Sequence, residues 1–195
     1  DLIAANLTRT PQRELMFNFG PDDVETEIVV VYRRGQPKPR SLSDLVGRKI
    51  MIIEGSSYEE ALIKAAADLD GIEWEARSDV GMEELMQAIS DRAIDITLVD
   101  SIIYRPNAAF YPSVAAAFTL PGALPHAWAF APGNDDELAQ RARIFMREVQ
   151  ASGRLAEIRQ AFVYPHQRLD RVGMFQFLQQ VRERLPVLMP IFQEV

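Results

Sequence analysis

The alternation of apolar strands and amphipathic helices between residues 41 and 100 constrains this chain more than any other feature. Lys49-Ile50-Met51-Ile52-Ile53-Glu54 carries the nearly continuous apolar run expected of a strand buried on both faces. Gly55-Ser56-Ser57 then leads into Tyr58–Ala67, a segment rich in strong helix formers. Ile72–Ala76 reads as a short strand. Met82–Ile89 reads as a helix with Met82, Leu85, Met86 and Ile89 on one face. Ile94–Val99 is the next strand and ends at Asp100. Such a rhythm leaves few solutions: parallel strands joined by right-handed crossovers, with helices covering the sheet.

The flanks extend this α/β pattern. Asp1–Ala5 is strand-like from the first residue, Pro21–Thr26 reads as a polar connector, and Glu27–Tyr32 is a β-branched strand. Arg33–Pro39 is a proline-stiffened loop, and Ser41–Val46 a short capped helix closed by Gly47. Val114–Phe118 and His126–Ala131 are expected strands on either side of a turn-rich stretch. The last third is helical. One helix starts from Asn134 or Asp135 and runs to about Ala151, Ser152-Gly153 breaks it, and Leu155–Phe162 forms a second. A linker around Pro165 precedes a third, Met174–Leu185, after which Pro186 and Pro190 interrupt the pattern.

Composition removes several classes of function. The net charge of −7 disfavours nucleic acid, whose phosphates demand a basic surface. No apolar run is long enough to span a bilayer, so this segment is not expected to insert into a membrane. With no cysteine there is no disulfide or thiolate chemistry. His126 and His166 are far apart and lack metal-ligand spacing; each is expected to cap a loop or lie at the surface. Neither a metal nor a cofactor is expected. A nucleophile elbow is missing, since no Gly-x-Ser-x-Gly occurs, and Gly55-Ser56-Ser57 lacks the second glycine and lysine of a P-loop.

Three places remain where chemistry can gather. Arg13 follows the strand-like Ile3-Ala4-Ala5 and the small polar stretch Asn6–Gln12, where a guanidinium fork can grip a carboxylate. Ser56 and Ser57 lie where a buried strand turns into a helix, a point at which unpaired N–H groups and the helix dipole favour anions. Ser57 can equally be a helix cap. Asp100 stands at the carboxyl end of a strand, the usual ligand side of an open α/β sheet. Its carboxylate can accept from an ammonium group or cap the helix that follows. Together the three suggest a receptor for an amino-acid zwitterion or a peptide terminus.

Larger motifs carry a resemblance. Leu7-Thr8-Arg9-Thr10-Pro11-Gln12-Arg13 with Phe17-Asn18-Phe19-Gly20-Pro21 resembles the crossing motif of the family 3 solute-binding proteins of bacterial amino-acid uptake. Leu45–Ile50 through Gly55-Ser56-Ser57 is similar to the opening of that family's second lobe, and Gly153–Ile158 to its terminal helix pair. The resemblance covers roughly residues 1–163. It implies a periplasmic binding protein type II-like α/β fold with a parallel-rich mixed sheet and C-terminal helices. It also implies that Arg13 and Thr8 hold the ligand carboxylate, that Ser56 and Ser57 contact the same group, and that Asp100 takes the amino group. Asn6 falls where transport receptors often have glycine, at the pocket floor.

Phe177-Leu178-Gln179-Gln180-Val181-Arg182 through Ile191-Phe192 is similar to the connector of membrane-bound lytic murein transglycosylases, in which a receptor-like domain precedes a lysozyme-like catalytic domain. The resemblance implies four parts: residues 1–27 as a lobe 1 remnant and crossing segment, and 28–131 as lobe 2. Residues 132–163 are helices returning to lobe 1, and 164–195 a helical linker toward a catalytic domain. The rest of lobe 1 is expected before Asp1. The implied function is non-catalytic binding of an amino acid or cell-wall peptide within a periplasmic, outer-membrane-anchored enzyme whose catalytic Glu-Ser motif has no counterpart here. A stand-alone receptor of an ABC transporter is the alternative.

Overall fold

The computed structural model describes residues 2–122, 124–132, 137–162 and 181–182. The expected helix Met174–Leu185, the linker after Tyr164, His166, and the caps Asn134 and Asp135 lie essentially outside those residues; of that helix only Val181 and Arg182 are described, as helical.

Two sheets organise the chain. Strands β1 (Leu2–Thr8), β2 (Asn18–Thr26) and β8 (Leu124–Phe130) form an antiparallel sheet in the order β1-β8-β2. A second sheet has the order β5-β4-β6-β3-β7. Its members are β3 (Ile28–Arg33), β4 (Ile50–Ile53), β5 (Trp74–Arg77), β6 (Ile96–Asp100) and β7 (Val114–Thr119). The strands β4, β5 and β6 of the βαβ region pair in parallel, as their rhythm predicts, whereas β3 runs antiparallel to both β6 and β7. The result is a mixed α/β sheet.

Several expectations shift at this level. Residues 21–26 are not a free connector but the second half of β2, hydrogen-bonded to β8. β8 therefore joins the first sheet, not the α/β sheet with which the boundary 28–131 grouped it. Local sequence gives a strand but not its partner, and here the partners lie about a hundred residues or more upstream. Residues 41–46 form only a single 3-10 turn, Leu42–Leu45. β4 is not covered equally on both faces: Ile50 and Ile52 are buried while Met51 and Ile53 are half-buried. The strand buried along its whole length is β6, with a covered residue at all five positions.

The core lies on both faces of the larger sheet. Helix α2 (Ser57–Ala65) covers one face, where Leu62 and Tyr58 meet Ile28, Val30, Ile50, Ile52, Ile96 and Leu98. Helix α3 (Met82–Ser90) covers the other, setting Leu85 and Ile89 against Val29, Val31 and Val99. Alternate residues of β3 and β6 thus point into two separate apolar layers, which explains why both strands are mostly apolar rather than alternating. Helix α5 (Glu137–Ala151) packs on the smaller sheet through Ala139 and Ala142 against Phe130, and Phe145 stacks on Trp128 at 6.2 Å. Helix α6 (Arg154–Phe162) follows after Gly153. Among the described residues no helix is long and apolar enough to cross a membrane.

Candidate ligand-binding site

The end of β1 and the start of α2 meet in a buried seam between the two sheets. Thr8 Oγ1 lies 3.1 Å from Ser57 Oγ, and both residues are buried. Chain geometry explains how they arrive there. Gly55 adopts φ +63°, a left-handed conformation that costs glycine little and turns the chain sharply off β4. Ser56 then caps α2, its hydroxyl accepting from the Glu59 N–H at 3.3 Å and donating to the Ile53 carbonyl at 2.6 Å. Ser57, which could have been the cap, is instead the first helical residue, and this frees its hydroxyl for Thr8. Glu59 fastens the turn from behind, accepting from the Gly55 N–H at 2.8 Å and the Trp74 indole at 3.4 Å.

Arg13 sits in the single-turn helix α1 (Pro11–Glu14), which Thr10 caps and Pro11 opens. Its Nη1 donates to the Thr8 carbonyl at 3.1 Å and its Nη2 to the Gly55 carbonyl at 3.3 Å. The guanidinium thus spans from β1 to the turn before α2. A guanidinium has five N–H donors, so the two carbonyls leave the others for an anion. Arg9 is committed to other partners through both terminal nitrogens, while its Nε is buried without a hydrogen bond. Its Nη1 pairs with Asp22 at 2.9 Å, its Nη2 donates to the Gly20 carbonyl, and its planar group lies 5.3 Å from the Phe19 ring centre. Asn6 lies within β1, two residues before Thr8; its side chain is outside the described set.

Asp100 ends β6, opposite Ile28 of β3, and is 3% exposed. It occupies the cap position of helix α4 (Ser101–Asn107), yet its carboxylate makes no capping bond. Instead Oδ2 accepts from the Tyr58 hydroxyl at 2.7 Å. Burial, reinforced by the adjacent Asp100 charge, pushes the Tyr58 phenol far above the ordinary tyrosine range, so it stays a donor. His126 Nε2 lies 3.4 Å from the same oxygen without forming a hydrogen bond to it. Asp100 Oδ1 and both ring nitrogens of His126 are buried without a hydrogen-bond partner. An unpaired buried polar atom costs about 1–3 kcal/mol, so the pair concentrates an unfavourable term at one point between the sheets.

His126 overturns an expectation: it is neither exposed nor a loop cap but fully buried. The reason is topological. It lies on the middle strand of the smaller sheet, opposite Thr8 on one side and Val24 on the other. Tyr58 is the other residue that sequence reasoning passed over, because it reads as an ordinary apolar position of α2. The alternation His126, Trp128, Phe130 against Ala127, Ala129 was the available signal for the buried histidine. No described His, Asp or Glu cluster can hold a metal.

Six residues were candidates from sequence. The structure brings Thr8, Arg13, Ser57 and the Ser56-capped turn into direct contact, and places Asp100 one residue away through Tyr58, the neighbour of Ser57.

No protein-family model matches the chain. Among curated proteins it is 34% identical over 192 residues to membrane-bound lytic murein transglycosylase F of Pseudomonas savastanoi pv. phaseolicola. It is 32% identical over 193 residues to the protein of the same name in Ectopseudomonas mendocina. This chain is homologous to part of membrane-bound lytic murein transglycosylase F. The matches cover 98% and 99% of the chain, but only 39% and 40% of the relatives, so it spans about two fifths of their length.

Solved structures give the fold. An ancestral arginine-binding protein bound to arginine superposes with a TM-score of 0.74 at 22% identity, covering 83% of this chain and 71% of that one. A mutant of the arginine-binding protein of T. maritima gives 0.73 at 19%, with coverages of 83% and 68%. An amino acid ABC transporter substrate-binding protein of Streptococcus pneumoniae, bound to L-arginine, gives 0.74 at 16%, with 85% and 69%. The fold shared with these proteins is the periplasmic binding protein type.

Proposed function

We propose that the chain is the ligand-binding, non-catalytic part of a periplasmic lytic transglycosylase, taking the zwitterionic end of an amino acid or of a peptide from the cell-wall stem. The observation that carries this reading is the placement of opposite charges on side chains linked along one seam. Arg13 stands beside the Thr8–Ser57 pair at the mouth of a helix N-terminus, and Asp100 lies buried behind Tyr58. A carboxylate at the first place receives a planar fork and the dipole of α2, and an ammonium at the second receives a carboxylate oxygen that has no other partner. In this reading Asn6 forms part of the floor.

The transglycosylase setting is favoured over a stand-alone transport receptor by extent: similarity to the transglycosylases runs over 98% of the chain, beyond the 83–85% shared with the receptors. Within such a parent, anchored at the outer membrane, a ligand that binds one arrangement of the two sheets better than another shifts that equilibrium and so biases an attached lysozyme-like domain. Titration calorimetry of the chain with L-arginine and with a purified stem tripeptide tests the binding. Saturable heat with either supports the reading, and no heat with both refutes it. Incubation with purified peptidoglycan tests the rest: release of anhydro-muropeptides would refute a non-catalytic role.

A further inference from the structure

We infer that Tyr58 and His126 are positioning residues of the amine subsite, bracketing Asp100 on Oδ2 so that Oδ1 is held as the acceptor for a ligand ammonium. The inference rests on the reading of the site as an amino-acid receptor and adds two residues that touch the ligand only through Asp100.

A free carboxylate side chain rotates, and its two oxygens are equivalent. Here they are not. Oδ2 accepts from the Tyr58 hydroxyl at 2.7 Å and faces His126 Nε2 at 3.4 Å, whereas Oδ1 is buried with no partner. The two bracketing groups come from different elements. Tyr58 belongs to α2 and is packed among Ile28, Ile52 and Leu62, while His126 is fixed in the central strand of the smaller sheet. Neither can follow Asp100 if it rotates, so the rotamer is set by packing rather than by the carboxylate itself. The phenol is held in its protonated form by burial, which makes it a permanent donor. A lone acceptor left unpaired in a fixed direction is costly in the empty protein and is repaid when an N–H arrives. Because the bracket joins α2 to β8, it also ties amine recognition to the relative placement of the two sheets.

The test separates positioning from mere stability by using two ligands that differ in one group. Calorimetry measures the affinity of the chain for L-arginine and for 5-guanidinopentanoic acid, which is arginine without its α-amine. The unaltered chain is expected to prefer L-arginine by at least tenfold. Tyr58→Phe keeps the packed ring but loses the hydroxyl, and His126→Gln keeps a polar donor but loses the ring. Each is expected to reduce the preference about tenfold or abolish it, while affinity for the desamino ligand changes less than threefold. In an Asp100→Asn background, adding Tyr58→Phe is expected to change the preference no further. Either variant suffices on its own should the other fail to fold. A preference left intact in both overturns the bracket while amino-acid binding stands. Equal loss for both ligands also overturns it, since that is what a purely structural role gives. Should only the stem tripeptide give heat, the same comparison is made between it and its desamino form; no heat from L-arginine, its desamino analogue or the tripeptide overturns the receptor reading and the bracket together.

Discussion

Replacing Arg13 with alanine should separate the residue's small structural contribution from its large contribution to binding. In the structure its guanidinium donates to two backbone carbonyls, Thr8 at 3.1 Å and Gly55 at 3.3 Å, in surroundings that range from half-buried to exposed. Solvent competes for such bonds, so their loss is expected to cost about 1 kcal/mol of stability or less. Binding should respond differently. A ligand carboxylate held by the remaining N–H groups forms two charge-assisted hydrogen bonds, each worth roughly 1.5–3 kcal/mol. Losing both removes about 3–6 kcal/mol, which corresponds to roughly a hundredfold to ten-thousandfold weaker affinity at 1.4 kcal/mol per decade. Arg13→Lys retains charge without the planar fork and should fall between the two. The assay is calorimetric titration with L-arginine alongside a thermal melt of each variant. Unchanged affinity in Arg13→Ala, with an unaltered melt, would refute the clamp. A large drop in melting temperature would instead mean that Arg13 holds the seam together and that its effect on ligand is indirect.

Other expectations follow from the same geometry. Ser56→Ala removes the cap of α2 and should cost about 1 kcal/mol in urea denaturation, with Ser57 still hydrogen-bonded to Thr8. Leu98→Ala empties a fully buried position on β6 and should cost about 2–5 kcal/mol by the same measure. Tyr58 should be silent when the folded protein is titrated with alkali at 295 nm and appear only on unfolding, because burial raises its phenol. The sign is set by that raised value. Stability from the protonated hydroxyl is complete below the unfolded tyrosine pKa of about 10 and is lost as pH climbs above it.

Part of the site was legible because its residues are tied to local backbone events. Ser56 and Ser57 follow a glycine between an apolar strand and a helix, and Asp100 ends another strand, so their placement needs only the βαβ rhythm. Arg13 follows Thr10-Pro11, whose capping side chain and fixed φ favour the helical turn seen here. Tyr58 and His126 escaped because their importance is relational. A tyrosine in the first turn of α2 is an ordinary core residue until its hydroxyl meets Asp100, 42 positions away. His126 reads as the first residue of a strand, capping a loop or lying at the surface, until β1 and β2 close on either side of it.

The sequence by itself therefore determined the strands and helices of the βαβ region between residues 49 and 100, and the turns that join them. Those choices are made by period, capping and backbone conformation, all set within about ten residues. Tertiary structure alone decided the partners. It made residues 21–26 a strand, moved β8 into the smaller sheet, and brought Thr8 to Ser57 and His126 to Asp100. Strand pairing and burial are set by contacts between residues dozens to more than a hundred positions apart, and no local window contains that information. The unpaired Oδ1 of Asp100 belongs to this second kind, since a carboxylate becomes buried and one-sided only when two sheets meet around it.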